Sequence, residues 1–157
     1  MNQEVICYNC SSSIQFDGVD MSYFTYFGCF IASMPLFFVL DMIWLGFFAQ
    51  GMYLKFYGPW LCLEHGQLLP VWWAIVVVYF LFALAVMTFV LPLAKDSVIR
   101  AFMYGAVMGF IIYGVYDFTC LAILKDWPVM MAFVDWAWGT YLCGLVAALT
   151  WFLSRLL

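Results

Sequence analysis

Long apolar runs divide this chain into four stretches that are poor in charge. They cover about residues 23–49, 70–94, 98–124 and 129–153. Each is longer than the ~20 residues that a helix needs to cross a hydrocarbon core of ~30 Å. None shows the strict alternation of a membrane β-strand, so each satisfies its backbone hydrogen bonds only as a helix. The pattern predicts four transmembrane helices joined by short loops.

The predicted fold class is all-α. We expect a polytopic bundle of four transmembrane helices over residues 23–157, preceded by a polar N-terminal segment over residues 1–22. The composition agrees, because 69% of the residues are hydrophobic, 22% are aromatic and only 9% are charged, which lies outside the range of soluble domains. The lipid bilayer is therefore the expected partner. No basic patch of the kind that binds nucleic acid is present.

The basic residues predict the orientation of the bundle. An even number of spans puts both termini on one side of the membrane. That side carries Lys95, Arg100 and Arg155, whereas the opposite loops carry Lys55 and Lys125. The rule that basic loops stay inside therefore favours cytoplasmic termini. The expected location is a bacterial inner membrane or an equivalent membrane.

The N-terminal segment differs from known targeting signals. It has three acidic residues and no Lys or Arg, unlike secretory signals and mitochondrial presequences. Cys7 and Cys10 have C-x-x-C spacing, but one such pair without further ligands does not define a zinc or redox site. We therefore expect no metal and no cofactor. The remaining cysteines are interpreted as small packing residues, and they are Cys29, Cys62, Cys120 and Cys143.

Three aspartates, Asp41, Asp117 and Asp135, lie inside the apolar spans. A carboxylate at the bilayer centre costs roughly 2.5 to 3.5 kcal/mol on the insertion scale. Asp41 lies nine residues before Gln50, Asp117 eight before Lys125, and Asp135 eight after Trp127. Because successive helices alternate in direction, all three fall roughly 12 to 14 Å below the same surface. The sequence predicts that they meet in one polar cavity.

Polar and aromatic residues near the aspartates extend the candidate site. Trp44 and Trp138 each follow an aspartate by three residues and share its helix face. Gly105 and Gly109 form a G-x-x-x-G surface that predicts close helix packing and continues, at intervals of four, into Tyr113 and Asp117. No catalytic residue is assigned. The candidate ligand-binding residues are Asp41, Trp44, Tyr113, Tyr116, Asp117, Thr119, Asp135 and Trp138.

Packing alone also explains some of these residues. A buried aspartate can join helices by accepting hydrogen bonds from Trp, Tyr or Thr, without any ligand. Three such expensive groups in one layer favour a ligand site over packing. His65, alone in a loop, is interpreted as solvated. The tryptophans near span ends are assigned to aromatic belts, and they are Trp60, Trp72, Trp73, Trp127 and Trp151.

Four short strings occur in a distinctive order along the chain. They are DMIWLG from Asp41, YGVYDFT from Tyr113, Trp127-Pro128, and DWAWGT from Asp135. Over residues 37–153 the chain resembles a widespread, mainly bacterial family of small predicted four-helix membrane proteins of unknown function. The resemblance implies the fold and the membrane location but no activity. The chain departs from that family in its polar N-terminal extension. It also has Cys120 where similar members usually have Asn, which removes an amide from the expected cavity.

Three functions are compatible with the sequence. The favoured hypothesis is binding or transport of a proton, a cation or a small polar solute at the aspartates. Transport implies a homo-oligomer, because four spans are few for a complete pathway. The first alternative is a structural or assembly subunit of a larger membrane complex. The second is a lipid-modifying intramembrane enzyme that uses an aspartate as general base. No nucleophile motif or nucleotide fingerprint supports an enzyme, although a three-carboxylate metal site stays open.

Overall fold

Helices dominate the structure, which is a computed structural model that describes residues 13–16, 19–64 and 67–157. The described strands are short and form two antiparallel hairpins, β1 (Ser13–Phe16) with β2 (Val19–Ser22) and β3 (Leu63–Glu64) with β4 (Gln67–Leu68). The expectations for Cys7, Cys10 and His65 concern residues that lie outside the described part.

Four helices are long and apolar enough to cross a membrane, and the predicted all-α, four-span fold is confirmed. The spans are Tyr23–Phe48, Trp72–Ala94, Val98–Ile123 and Val129–Leu156. The helical elements in chain order are α1 (Tyr23–Ile43), a π-helical turn (Trp44–Phe48), α2 (Gln50–Tyr57), a 3₁₀ turn (Gly58–Trp60), α3 (Trp72–Ala85), a second π-helical turn (Val86–Val90), α4 (Leu91–Ala94), α5 (Val98–Ile123) and α6 (Val129–Leu156).

Local sequence signals explain where several helices begin. The Ser22 hydroxyl caps α1 by accepting from the Thr25 amide at 3.1 Å, and the Ser97 hydroxyl caps α5 by accepting from the Arg100 amide at 3.4 Å. Such caps satisfy amides that have no partner within the helix. The second π-helical turn directly precedes Leu91 and Pro92. A proline removes one amide and crowds the preceding turn, so the wider turn accommodates it.

At the bundle end that carries the C-terminus, α6 is hydrogen-bonded to the turn between the second and third spans. The carbonyl oxygen of Lys95 accepts from the Trp151 indole at 2.8 Å and from the Arg155 guanidinium at 3.1 Å. Arg155 also pairs with Asp96 at 2.5 Å. Both side chains of that ion pair are substantially exposed, so the pair contributes less to stability than to the geometry of the turn.

The apolar core lies where the first two spans meet α6. Phe37 of α1 is fully buried and stacks on Phe82 of α3 at 5.1 Å between ring centroids. Leu142 and Val146 of α6 are also fully buried in the same cluster. This contact holds the first, second and fourth spans together below the aspartates.

Small residues bring α5 and α6 into close contact. A Cβ atom at Gly105 would lie 2.5 Å from the Cβ of Ala147, and one at Gly109 would lie 2.4 Å from the carbonyl oxygen of Gly139. The ring of Tyr113 occupies the space beside Gly139. Gly105 and Gly109 therefore face α6 within the bundle. Because the helices are antiparallel, this register places the next residue of the series, Asp117, opposite Asp135.

Helix α2 is the element that the apolar pattern did not predict. The first span was expected to end at Ala49 and to continue as a loop. Instead the backbone bends at Ala49, with φ −108° and ψ −9°, and resumes as α2. This short helix packs against the start of α6, so it covers the end of the bundle that lies nearest to the aspartates.

Candidate functional site

Asp41 accepts hydrogen bonds from two neighbouring helices. Its Oδ2 accepts from the Tyr79 hydroxyl of α3 at 3.0 Å, and its Oδ1 accepts from the Trp138 indole of α6 at 2.9 Å. Hydrogen bonds between transmembrane helices contribute about 0.6 kcal/mol on average and up to about 1.7 kcal/mol. Asp41 therefore connects α1 to both α3 and α6.

Trp44 and Trp138 form a stacked pair beside Asp41. Their ring centroids lie 4.4 Å apart and the ring planes differ by 7°. Trp44 begins the first π-helical turn, and its buried indole N–H has no hydrogen-bond partner among the described residues. Trp138 is thus held on its ring face by Trp44 and at its N–H by Asp41.

Asp135 is bound by a residue from α2. The Tyr53 hydroxyl donates a hydrogen bond to its Oδ1. Its Oδ2 accepts no hydrogen bond within the part of the chain that the structure describes. Since Tyr53 lies beyond the first span, this hydrogen bond connects α2 to the first part of α6.

Asp117 is the most unusual of the three carboxyl groups. It is completely buried, with 0% of its surface exposed, and neither of its oxygens has a hydrogen-bond partner among the described residues. A buried charged or polar group that lacks partners costs about 1 to 3 kcal/mol or more. Asp135 interacts electrostatically with both Asp117 and Asp41. The three groups therefore form one electrostatic cluster.

Two further unpaired polar groups lie close to Asp117. The Tyr57 hydroxyl and the Trp127 indole N–H are buried and have no partner in the described part of the chain. Their rings are 4.8 Å apart, and Tyr57 interacts electrostatically with Asp117 and Asp135. Two acceptor oxygens of Asp117 and two donors are thus unsatisfied, which is the arrangement that a bound polar group would complete.

The tyrosines of α2 remain hydrogen-bond donors at all ordinary pH values. Burial, and then the carboxyl of Asp135, raise the pKa of Tyr53 and of Tyr57 above the usual value for a phenol. Both hydroxyls therefore stay protonated. A protonated phenol can donate to a carboxylate, whereas a phenolate would repel it.

The three aspartates lie at similar distances from the ends of their spans. Asp117 and Asp135 are each six residues from the nearest end of α5 or α6, which corresponds to about 9 Å. Asp41 is seven residues before Phe48, the end of the first span, which corresponds to about 10 Å. All three aspartates therefore lie at about the same distance from the nearest end of their span.

Two cavities flank α3 and each reaches one aspartate. A cavity of about 580 Å³ between α1 and α3 reaches Asp41. The other, of about 560 Å³, reaches Asp135 between α3 and α5. Both volumes fall within the range of ligand pockets. We call the second cavity the lateral groove, and it is lined by Val78, Leu81, Phe82, Ile112, Tyr113, Tyr116 and Asp135.

Of the remaining candidate residues, Tyr113 and Tyr116 line the lateral groove and Thr119 does not. Tyr113 lines the lateral groove and interacts electrostatically with Asp41 and Asp135. Tyr116 is exposed and also lines the groove. Thr119 is exposed, and no hydrogen bond of its side chain occurs among the described residues. The structure therefore groups seven of the eight candidates around the site and leaves Thr119 at its edge.

Three tyrosines of the site were missed by the sequence analysis. Tyr79 lies seven residues into a uniformly apolar span, and the same count of depth that selected the aspartates would have selected it. Tyr53 and Tyr57 lie beyond the expected end of the first span. No periodicity in that short segment indicates that it folds back over α6.

The carboxyl groups do not form a metal site of the usual size. Among the described residues, no group of three or more His, Cys, Asp or Glu side chains is close enough to hold a metal ion. A divalent cation such as Ca²⁺ takes six to eight oxygen ligands. The arrangement of one or two carboxyl groups with phenol and indole donors suits a proton, an ammonium group or a hydroxyl group better.

Comparison with known proteins identifies the family. The profile of the predicted membrane protein family DUF2177 matches residues 26–152, which is more than half of the chain. No curated protein and no solved structure matches the chain. The matched region contains all three aspartates and all four spans except their outermost residues. The chain therefore belongs to the DUF2177 family of predicted membrane proteins.

Proposed function

We propose that this protein binds a proton, a cation or a small polar solute at Asp117 and Asp135 and transports it across the membrane. The observation that carries the proposal is the carboxyl group of Asp117, which is fully buried and has no partner in the described part of the chain. A packed interior rarely leaves such a group unsatisfied. A bound proton, cation or hydrogen-bond donor supplies the missing partner.

The position of Asp135 supports the same conclusion. It lies opposite Asp117 across the close contact of α5 and α6, and the two groups interact electrostatically. Two facing carboxylates in an apolar environment repel each other strongly. A cation or a shared proton between them relieves that repulsion, so the pair favours a positively charged or hydrogen-bond-donating occupant.

Asp41 has a different part in this proposal. Both of its oxygens already accept hydrogen bonds from Tyr79 and Trp138. We therefore expect Asp41 to hold Tyr79 and Trp138 in place and not to bind the transported species directly. We therefore expect Asp117 and Asp135 to bind the transported species, with Tyr57 as a hydrogen-bond donor beside them.

Flux into liposomes tests the proposal. Purified protein is reconstituted, and gradients of protons, Na⁺, K⁺ and methylammonium are imposed in separate experiments. We expect the wild type to dissipate at least one gradient faster than empty liposomes do. The Asp117→Asn variant should fall to the rate of empty liposomes, because it keeps the shape and removes the charge.

Asp126→Asn is the matched control for this measurement. Asp126 is exposed in the turn between α5 and α6 and has a φ of 57°, a backbone conformation that Asn also tolerates. Its flux should equal that of the wild type. Undiminished flux through Asp117→Asn would refute the assignment of Asp117, and wild-type protein without flux for any of the four ions would argue against transport of these ions.

The assembly and location of the protein are part of the same proposal. Four spans provide few surfaces for a complete pathway, so we expect transport to require a homo-oligomer. The basic residues at the bundle end that carries the termini support cytoplasmic termini in a bacterial inner membrane or an equivalent membrane.

A further inference from the structure

The lateral groove has apolar walls that face the surroundings of the bundle. Leu81 and Val78 of α3 are 55% and 46% exposed, and Ile112 of α5 is 39% exposed. All three lie within membrane spans. The groove therefore opens sideways, towards the hydrocarbon core of the bilayer.

The inner end of the lateral groove is polar. Asp135 and Tyr113 lie there. Within the described residues, the Oδ2 of Asp135 and the hydroxyl of Tyr113 take part in no hydrogen bond. The first is an acceptor and the second is both a donor and an acceptor. An occupant of this end gains most if its polar group donates to the carboxyl group.

The opposite approach to Asp135 is covered by α2. Tyr53 occupies the Oδ1 of Asp135, and the buried ring of Tyr57 packs on Trp127 beside it. The lateral groove therefore reaches Asp135 from a side that α2 does not cover.

We propose that the lateral groove binds a single-chain amphiphile from the bilayer, with its apolar chain along Leu81 and Ile112 and a hydroxyl or ammonium head group at Asp135 and Tyr113. This inference rests on the proposed function and names the class of ligand that the carboxyl site takes. The apolar walls complement the chain, and the carboxyl group complements a head group that donates hydrogen bonds.

Photolabelling in lipid nanodiscs tests this inference. The probe is a hexadecan-1-ol that carries a diazirine in its chain, and mass spectrometry identifies the labelled peptides. We expect labelling of the peptides that contain Leu81 and Ile112. Unlabelled hexadecan-1-ol and hexadecylamine should compete, whereas hexadecyl methyl ether, which cannot donate a hydrogen bond, should compete about tenfold less well.

Two leucines of the second span provide a matched pair of variants. Leu81→Trp fills the lateral groove, whereas Leu93→Trp makes the same change at a residue of α4 that does not line it. The two residues are 55% and 54% exposed, so both variants should fold. Labelling should fall about tenfold in Leu81→Trp and stay unchanged in Leu93→Trp.

A third variant tests the polar end of the groove. Tyr113→Phe removes one hydroxyl group and keeps the ring that packs against Gly139. We expect it to weaken competition by the alcohol several-fold and to leave competition by the ether unchanged. Equal loss for both competitors would assign Tyr113 to packing alone and would contradict its contact with the head group.

The possible outcomes separate this inference from the proposed function. Equal competition by alcohol, amine and ether would show a groove for apolar chains without head-group recognition and would overturn the inference. Flux of methylammonium that depends on Asp117, together with no labelling of the groove, would overturn the inference and leave the proposed function intact. Labelling that Leu81→Trp does not reduce would also overturn the inference.

Discussion

At the scale of single residues, the three aspartates differ in the number of hydrogen bonds they accept. Asp41 accepts two and Asp135 accepts one. Asp117 accepts none among the described residues. The three aspartates therefore contribute differently to the stability of the bundle, because the contribution of a buried carboxyl group depends on its partners. Asp41 stabilises the bundle, whereas Asp117 is held at a cost in stability.

This difference predicts opposite effects of two identical substitutions. Asp41→Leu leaves the Tyr79 hydroxyl and the Trp138 indole without their acceptor, so we expect a loss of about 1 to 3 kcal/mol in the free energy of unfolding. Asp117→Leu removes a buried carboxyl group that has no partner, so we expect no loss, or a gain of about 1 to 3 kcal/mol. Unfolding of both variants in lipid nanodiscs measures these changes.

A large loss of stability in Asp117→Leu would contradict this account. It would mean that the carboxyl group is bound inside the protein and acts as a connection between helices. The hypothesis of a structural or assembly subunit would then gain support, since all three aspartates would serve packing.

At the scale of elements, the contact between α5 and α6 positions the site. Gly105 and Gly109 allow the two backbones to approach closely, and Tyr113 fits beside Gly139. The same register places Asp117 opposite Asp135. A second contact between these helices is the hydrogen bond from the Trp136 indole to the carbonyl oxygen of Phe110, at 2.8 Å. The close packing and the proposed site therefore depend on the same helix pair.

A single methyl group at this contact should be costly. In Gly109→Ala the new Cβ would lie 2.4 Å from a backbone oxygen and 2.7 Å from the Cβ of Cys143, so the helices must separate. We expect a loss of about 1 to 3 kcal/mol in the free energy of unfolding. Gly46→Ala is the control, because a Cβ there meets nothing within 4 Å; it should be neutral or slightly stabilising.

Much of the helical architecture was predictable from the sequence. Long apolar runs indicate spans regardless of their tertiary contacts, because the bilayer imposes helices on them. The series of small residues at intervals of four indicated the packing face of α5. The similar distance of the three aspartates from their span ends followed from counting residues along the helices. These features depend on local spacing, which a sequence displays directly.

The rest of the site depends on contacts that local spacing does not display. The bend at Ala49 turns α2 over α6 and brings Tyr53 to Asp135, which is 82 residues away along the chain. Thr119 lies only two residues after Asp117, yet it is exposed while Asp117 is buried, because two helical positions differ by about 200° around the axis. Hydropathy gives no information about either orientation.

At the scale of the whole molecule, the two ends of the bundle are chemically different. One end holds α2, the aromatic cover of the aspartates and the exposed Cys62. The other holds the ion pair of Asp96 with Arg155 and the beginning of α1. The polar site is therefore close to one membrane surface, and any transport across the bundle starts or ends near that surface.

The exposed Cys62 provides a test of orientation. With cytoplasmic termini, Cys62 lies on the outer side of the membrane. A maleimide that does not cross membranes should label it in intact cells, and the Cys62→Ser variant should lose that label. Labelling of Cys62 only after the cells are opened would place the termini outside and reverse the predicted orientation.

For a ligand that enters through the lateral groove, the relevant concentration is the one in the bilayer, not the one in the buffer. Tyr53 of α2 covers Asp135 on one side, whereas the lateral groove leaves Asp135 open towards the lipids. A molecule that approaches along this path has already partitioned into the bilayer. Its occupancy of the site then follows its mole fraction among the lipids, and dilution of the surrounding buffer at constant lipid composition leaves it unchanged.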